Sequence, residues 1–184
     1  EEIDKGIYLS LGMLKASFES RKFNIADKLV IRAILEYSKI SENEINQKYG
    51  ELGDLGNVVE TIPNKNVENL SLLEVYEILY KIAGFEGSGS QEKKVSTLAN
   101  LYSRCDSVSN KFITRIVLGT TRLGFTELTV IDALNKLNNG NKETKIQIEE
   151  KYNIYPDIGL IALKIKKDGL KGVSGIQMEP GVPI

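Results

Sequence analysis

Apolar residues recur at three- and four-residue spacing along almost the whole chain, the period of an amphipathic helix. Leu29, Ile31, Ala33, Ile34 and Tyr37 form one stripe, Leu72, Val75, Tyr76, Leu79 and Ile82 another, and Leu98, Leu101 and Tyr102 a third. Breaks fall where helix starts belong. Ser41 with Glu44 and Ser71 with Glu74 have capping-box spacing, and Pro156-Asp157 suits the opening of a further helix. The pattern predicts about ten short helices, near 3–14, 26–38, 41–50, 55–62, 71–83, 90–103, 107–119, 127–138, 142–152 and 156–167. Period-two alternation is confined to Gly175–Met178, and the prolines at 63, 156, 180 and 183 interrupt no long helix. The expectation is an all-α bundle of short helices.

The helices repeat. Leu11-Gly12 precedes Val30-Ile31-Arg32-Ala33-Ile34, then Lys48-Tyr49 and Asp54-Leu55-Gly56; Leu118-Gly119 precedes Val130-Ile131-Asp132-Ala133-Leu134, then Lys151-Tyr152 and Asp157-Ile158-Gly159. The offset of about 100 residues is far longer than a solenoid period, so a whole helical bundle is duplicated and two pseudo-twofold halves are expected. The plainer alternative is chance likeness between amphipathic helices that end in glycine. Two helices, reaching back to Ser71, precede the one that ends at Gly119, whereas only eleven residues precede Gly12. The repeat therefore predicts an N-terminally truncated first half, lacking its first two helices.

Composition narrows the chemistry. Among 184 residues there is no His, no Trp and one Cys, which excludes an intrachain disulfide, the usual zinc sites and imidazole-based triads. No apolar run reaches the roughly 18 residues of a membrane span, so no membrane partner is expected. The net charge of −1 argues against coating nucleic acid by bulk electrostatics. It averages over unequal segments, however. Residues 91–125 carry six basic and two acidic side chains, and residues 36–77 three basic and nine acidic. A local basic face is therefore expected.

Two loops could carry chemistry. Gly87-Ser88-Gly89-Ser90 opens a helix that continues Gln91-Glu92-Lys93-Lys94. Small residues let a backbone approach an anion, the helix start offers N–H groups, and Lys93 and Lys94 add charge in the first turn. The P-loop spacing is missing, and a flexible linker with a Ser cap is the alternative. The second loop runs from Arg115 through Leu118-Gly119-Thr120-Thr121-Arg122-Leu123-Gly124. Gly119, Thr121, Arg122 and Gly124 make a compact set of donors for phosphate, with no acidic residue before Glu127. In the first copy Lys22 falls opposite Arg122 and Asn24 opposite Gly124; Asn tolerates positive φ better than other non-Gly residues, so the turn's shape can persist. The alternative is a pair of helix ends with solvated cations.

Other singletons read as structural. Lys166-Lys167-Asp168-Gly169 fits a nucleotidyltransferase motif, yet only fifteen residues follow it, and a basic last turn with a Gly cap has the same form. Cys105 reads as a helix-end residue, the tyrosines as packed rings with hydroxyls reaching water, and Asp54 and Asp157 as N-caps.

Taken together, Ile25–Ala33, Gly53–Glu60, Gly87–Lys94, Leu118–Gly124 and Tyr152…Asp157-Ile158-Gly159-Leu160 resemble the N-terminal DNA-binding domain of ATP-dependent DNA ligases of archaeal and eukaryotic type. The resemblance implies an all-α domain over 1–173, with 174–184 as the lead-in to an adenylation domain outside this sequence. It implies nicked double-stranded DNA as partner, gripped without sequence preference across the minor groove and backbone. It maps phosphate contact onto Gly87, Ser88, Gly89, Ser90, Lys93, Lys94, Arg115, Gly119, Thr121, Arg122 and Gly124, with Lys22 and Asn24 from the first copy. No catalytic residue, metal or cofactor is expected within this chain. ATP and Mg2+ serve the parent enzyme, whose adenylation and oligonucleotide-binding-fold domains and a sliding clamp are further partners, inside the cell. The rival reading is an all-α protein-interaction scaffold that binds no nucleic acid.

Overall fold

The computed structural model describes residues 2–19, 22–124 and 126–182. Among them lie ten α-helices and no strand: α1 (Ile3–Ser10), α2 (Asp27–Ser38), α3 (Glu42–Leu52), α4 (Leu55–Glu60), α5 (Leu72–Ala83), α6 (Ser90–Arg104), α7 (Ser107–Val117), α8 (Glu127–Leu137), α9 (Lys142–Ile154) and α10 (Ile158–Asp168). The all-α expectation holds, with most helix bounds within two residues of those read from periodicity. The caps explain the agreement. Ser71 and Glu74 form a reciprocal capping box, Ser41 accepts from the Glu44 amide, and Asp54 and Asp157 accept from the Asn57 and Leu160 amides.

Two expectations shift. The first helix ends at Ser10 rather than near residue 14, because Gly12 turns to φ +74° and the Met13 amide bonds back to the Tyr8 carbonyl at 2.8 Å. Leu14 is buried beyond that turn, which is why the apolar pattern ran on. Over Gly175–Met178 there is no strand; a 3-10 segment, Gly169–Gly175, precedes a short irregular stretch whose Ile176 packs into the core. Lys166 and Lys167 occupy the last turn of α10, and Gly169 caps it at φ +65°.

The chain forms two compact units: a continuous one, Lys22–Arg122, and a split one, Glu1–Arg21 with Leu123–Ile184. In the continuous unit α4 packs along α7, and α6 lies against α2 and α5. Val30, Ala33, Ile34, Val58, Leu79 and Leu101 are buried there. In the split unit α1 packs on α10 around Tyr8, Ile131, Ile148, Ile158, Ile161 and Ile165. The two sequence copies are therefore not the two compact units. Each unit joins the last helix of one copy to the helix that ends in the glycine turn of the other, α4 with α7 and α10 with α1.

The Asp-x-Gly shared by the copies makes both pairings possible. A Cβ on Gly56 would stand 2.8 Å from the Lys111 carbonyl of α7, and one on Gly159 would stand 2.3 Å from the Tyr8 ring of α1. Only glycine admits either approach. The copies also differ. Ala33 is buried, whereas its counterpart Ala133 is exposed and Leu137 is 80% exposed.

The tyrosine hydroxyls do not simply reach water, as their spacing suggested. Tyr102 is fully buried and its hydroxyl is 2.7 Å from that of Thr114; the Tyr8 hydroxyl donates to Asp157. Burial raises the pKa of both phenols, and the Asp157 bond adds to the effect at Tyr8. Cys105, at the end of α6, has its thiol pushed up to about 11, by burial first and by Asp106 next.

Because these groups are held neutral, their stabilisation is complete below their unfolded pKa values and is lost as pH rises through the folded ones. The unfolding midpoint, followed by circular dichroism at 222 nm, is expected to stay level from about pH 7 to about pH 9 and to fall between pH 9 and 11. A midpoint constant across that window would refute the assignment.

Candidate nucleic-acid interface

The turn after α7 is built on hydrogen bonds before any ligand enters. The Gly119 amide bonds to the Ile116 carbonyl at 3.0 Å and the Thr120 amide to the Arg115 carbonyl at 2.9 Å. Gly119 is exposed at φ +70°, Thr121 is half-buried, and Gly124, at φ +73°, begins the split unit's second segment with Leu123. Arg122 holds φ +54°, a left-handed backbone that costs a non-Gly residue of order 1 kcal/mol or more. Its side chain supplies the compensation. Arg122 Nε lies 2.9 Å from Asp54 Oδ2, and Nη2 donates to the Gly53 carbonyl at 3.2 Å.

Asp54 gathers more than a helix cap. Arg115 Nε donates to its Oδ1 at 3.3 Å, Arg115 Nη2 donates to Asn57 Oδ1 at 3.0 Å, and the Arg115 guanidinium lies over the Phe112 ring. The Asp54 side chain is only 4% exposed, Arg115 12%, but Arg122 55%. Two cations on one buried carboxylate leave a local surplus of one positive charge, and that surplus faces outward at Arg122. Beside it opens a cleft of about 250 Å³ lined by Ile25, Asp27, Tyr49, Gly53, Thr120 and Arg122, among others. The Tyr49 hydroxyl donates to Asp27 at 2.8 Å, and that bond is the main reason its pKa is raised.

The first-copy turn shares one left-handed position with the second. Phe23 and Ile25 are buried while Lys22 and Asn24 are exposed, and Asn24 takes φ +49° as its place opposite Gly124 predicted. The α6 start meets this turn. Lys94 is buried and its Nζ donates to the Phe23 carbonyl at 2.7 Å, and Arg32 of α2 pairs with Glu92 at 3.6 Å. The expectation that Lys94 adds charge at an open helix start is corrected: a buried ammonium bonded to a main-chain carbonyl braces the turn instead. Lys93 is exposed. Gly89 rather than Ser90 is the N-cap, at φ +74° with no side-chain cap bond; Gly87 also has positive φ, Ser88 is exposed and Ser90 half-buried.

The expected segregation of charge is largely consumed by folding. Arg104 pairs with Glu68 and Lys111 with Glu60, each at 2.8 Å, while Arg115 and Arg122 pair with Asp54. Basic segment meets acidic segment. Of the expected contact residues, Lys22 and Lys93 make no ion pair among the described residues, and they and Arg122 are exposed. Asp54, Asn57 and the Gly53 carbonyl were missed as parts of this site. The hints in the sequence were that an Asp stands at the same place in both copies and that Gly53–Glu60 carries part of the family resemblance.

Comparison with known proteins settles the lineage. The family model for the DNA ligase N terminus matches residues 1–135. The chain belongs to the DNA ligase N-terminal family. It is 35% identical to DNA ligase 2 of Korarchaeum cryptofilum over all of this chain and 32% of that protein. It is 38% identical to the DNA ligase of Nitrosopumilus maritimus over 94% of this chain and 30% of the relative. With a probable DNA ligase of Dictyoglomus thermophilum it shares 37% identity over the full chain and 32% of the relative. The chain thus spans about a third of the length of these ligases, and none of the three names favours the scaffold reading. Among the described residues of this ligase N-terminal chain no cluster of Cys, Asp and Glu could hold a metal ion, and no helix is long and apolar enough to cross a membrane.

Replacing Lys94 by Met keeps bulk but leaves the Phe23 carbonyl without its donor. The expected cost is about 1–3 kcal/mol in urea unfolding followed by circular dichroism. An unchanged midpoint would show that Lys94 does not hold the turn.

Proposed function

We propose that this chain is the DNA-gripping domain of an ATP-dependent DNA ligase. It holds nicked duplex DNA by the phosphate backbone and minor groove, without reading sequence, while other domains of the parent join the 5′-phosphate to the 3′-hydroxyl. One observation carries the reading: Lys22, Lys93 and Arg122 face outward from three segments that the fold ties together. Lys94 binds the turn that carries Lys22, and the cleft beside Arg122 is lined by the continuation of that turn. Compact turns rich in glycine and hydroxyl groups at Gly87–Ser90 and Gly119–Arg122 let a phosphate approach backbone amides closely. Family membership supplies the substrate class.

In this reading ATP and Mg2+ act in the adenylation and oligonucleotide-binding-fold domains of the parent, together with the lysine that carries the adenylate. The present chain contributes position and does not ligate alone. A sliding clamp is a further partner in the same setting, inside the cell.

Nicked duplex titrated into the chain by fluorescence anisotropy at two salt concentrations tests the proposal. Affinity is expected to fall with salt, with a slope in log K of about 0.9 for each phosphate neutralised. Arg122→Ala is expected to lower affinity roughly 3- to 30-fold, equally for unrelated sequences, and to reduce the slope by about one. Binding that is absent, insensitive to salt, or lost for particular sequences only would overturn it.

A further inference from the structure

Asp54 is a nearly buried carboxylate at the wall of the cleft, and its partners include the outward cation Arg122. We infer that Asp54 is a positioning residue for phosphate contact, which with the Gly53 carbonyl holds the Arg122 guanidinium as a fixed fork. The inference rests on the DNA-gripping reading above. Guanidinium has five N–H groups. Arg122 commits Nε to the Asp54 carboxylate and one Nη2 hydrogen to Gly53, and its side chain is still 55% exposed. Three N–H groups therefore remain, in one plane and one orientation, for an incoming phosphate. An arginine already ordered loses little rotamer freedom on binding, and its planar fork suits paired phosphate oxygens.

The second copy shows that capping alone does not need this arrangement. Asp157 caps α10 as Asp54 caps α4, accepting from the amide three residues on. Its further partner is the Tyr8 hydroxyl. Tyr8 and Arg115 occupy the same place, since each offers its carbonyl to the amide five residues later at the end of its helix. One copy thus sets a neutral phenol against the capping carboxylate, and the other sets two guanidiniums. In the second arrangement Arg115, nearly buried, neutralises Asp54, so that Arg122 keeps its charge for solvent.

The sign of the effect separates positioning from bulk electrostatics. Removing a negative charge near a DNA-binding surface strengthens binding if charge alone matters. If Asp54 positions Arg122, removing it weakens binding. Asp54→Asn retains an oxygen that can accept from the Asn57 amide, so the α4 cap survives. The Kd for nicked duplex is expected to rise roughly 3- to 10-fold in Asp54→Asn, and the same change made on an Arg122→Ala background is expected to leave Kd unaltered. Tighter or unchanged binding by Asp54→Asn, or an equal loss in both backgrounds, would overturn the inference. If Arg122→Ala itself has no effect, the DNA-gripping assignment of Arg122 fails instead. Arg122→Lys provides a second measurement at an exposed position that leaves Asp54 in place. A compact ammonium keeps the charge but not the fork, so a loss close to that of Arg122→Ala is expected, and wild-type affinity would overturn the inference.

Discussion

The continuous unit depends on how one buried carboxylate is satisfied. A carboxylate removed from water is costly, and breaking a buried ion pair by deleting one partner typically costs several kcal/mol. Asp54 meets the requirement with the Asn57 amide, Arg115 and Arg122. These partners belong to the start of α4, the face of α7 and the turn beyond α7. Satisfying the charge therefore locks three pieces of chain into one geometry, and Gly56, with no side chain, lets α7 come close enough for it. The left-handed backbone of Arg122 persists because its guanidinium has two anchors on the same side.

The same constraint reconciles a slightly acidic chain with the polyanionic partner proposed for it. Long-range attraction is screened over about 10 Å at moderate salt, so what matters is the sign of charge at the contact and not the net sum. Folding pairs most of the basic segment with the acidic one, and what is left outward is sparse and local. Fixed placement of a few donors suits the proposed role, in which a repeating backbone is recognised and base sequence ignored.

The two like stretches of sequence supply the same parts, and the residues that differ give them different roles. Both copies keep the Asp-x-Gly that caps a helix and admits a close neighbour, and that neighbour, α7 or α1, ends in the same glycine turn. The neighbour comes from the other copy, so neither copy holds a complete core. Between the copies the residue facing the capping carboxylate changes from phenol to guanidinium, and with it the electrostatic character of the pocket.

Helix positions were legible in the sequence because amphipathic spacing and capping chemistry are local, set within a few residues of each boundary. The repeat, the left-handed Asn24 and the capping aspartates were legible for the same reason. What the chain alone could not disclose were relations between distant residues. Lys94 looked like a surface cation and is a buried brace, because 71 positions away a turn presents its carbonyl. Asp54 looked like a cap alone, because Arg115 and Arg122 stand 61 and 68 positions on. The contrast between basic and acidic stretches was real in sequence, and in space most of the basic one is paired with carboxylates of the acidic one. Charge along a chain is fixed by composition, whereas its pairing and exposure are decided by which helices pack together.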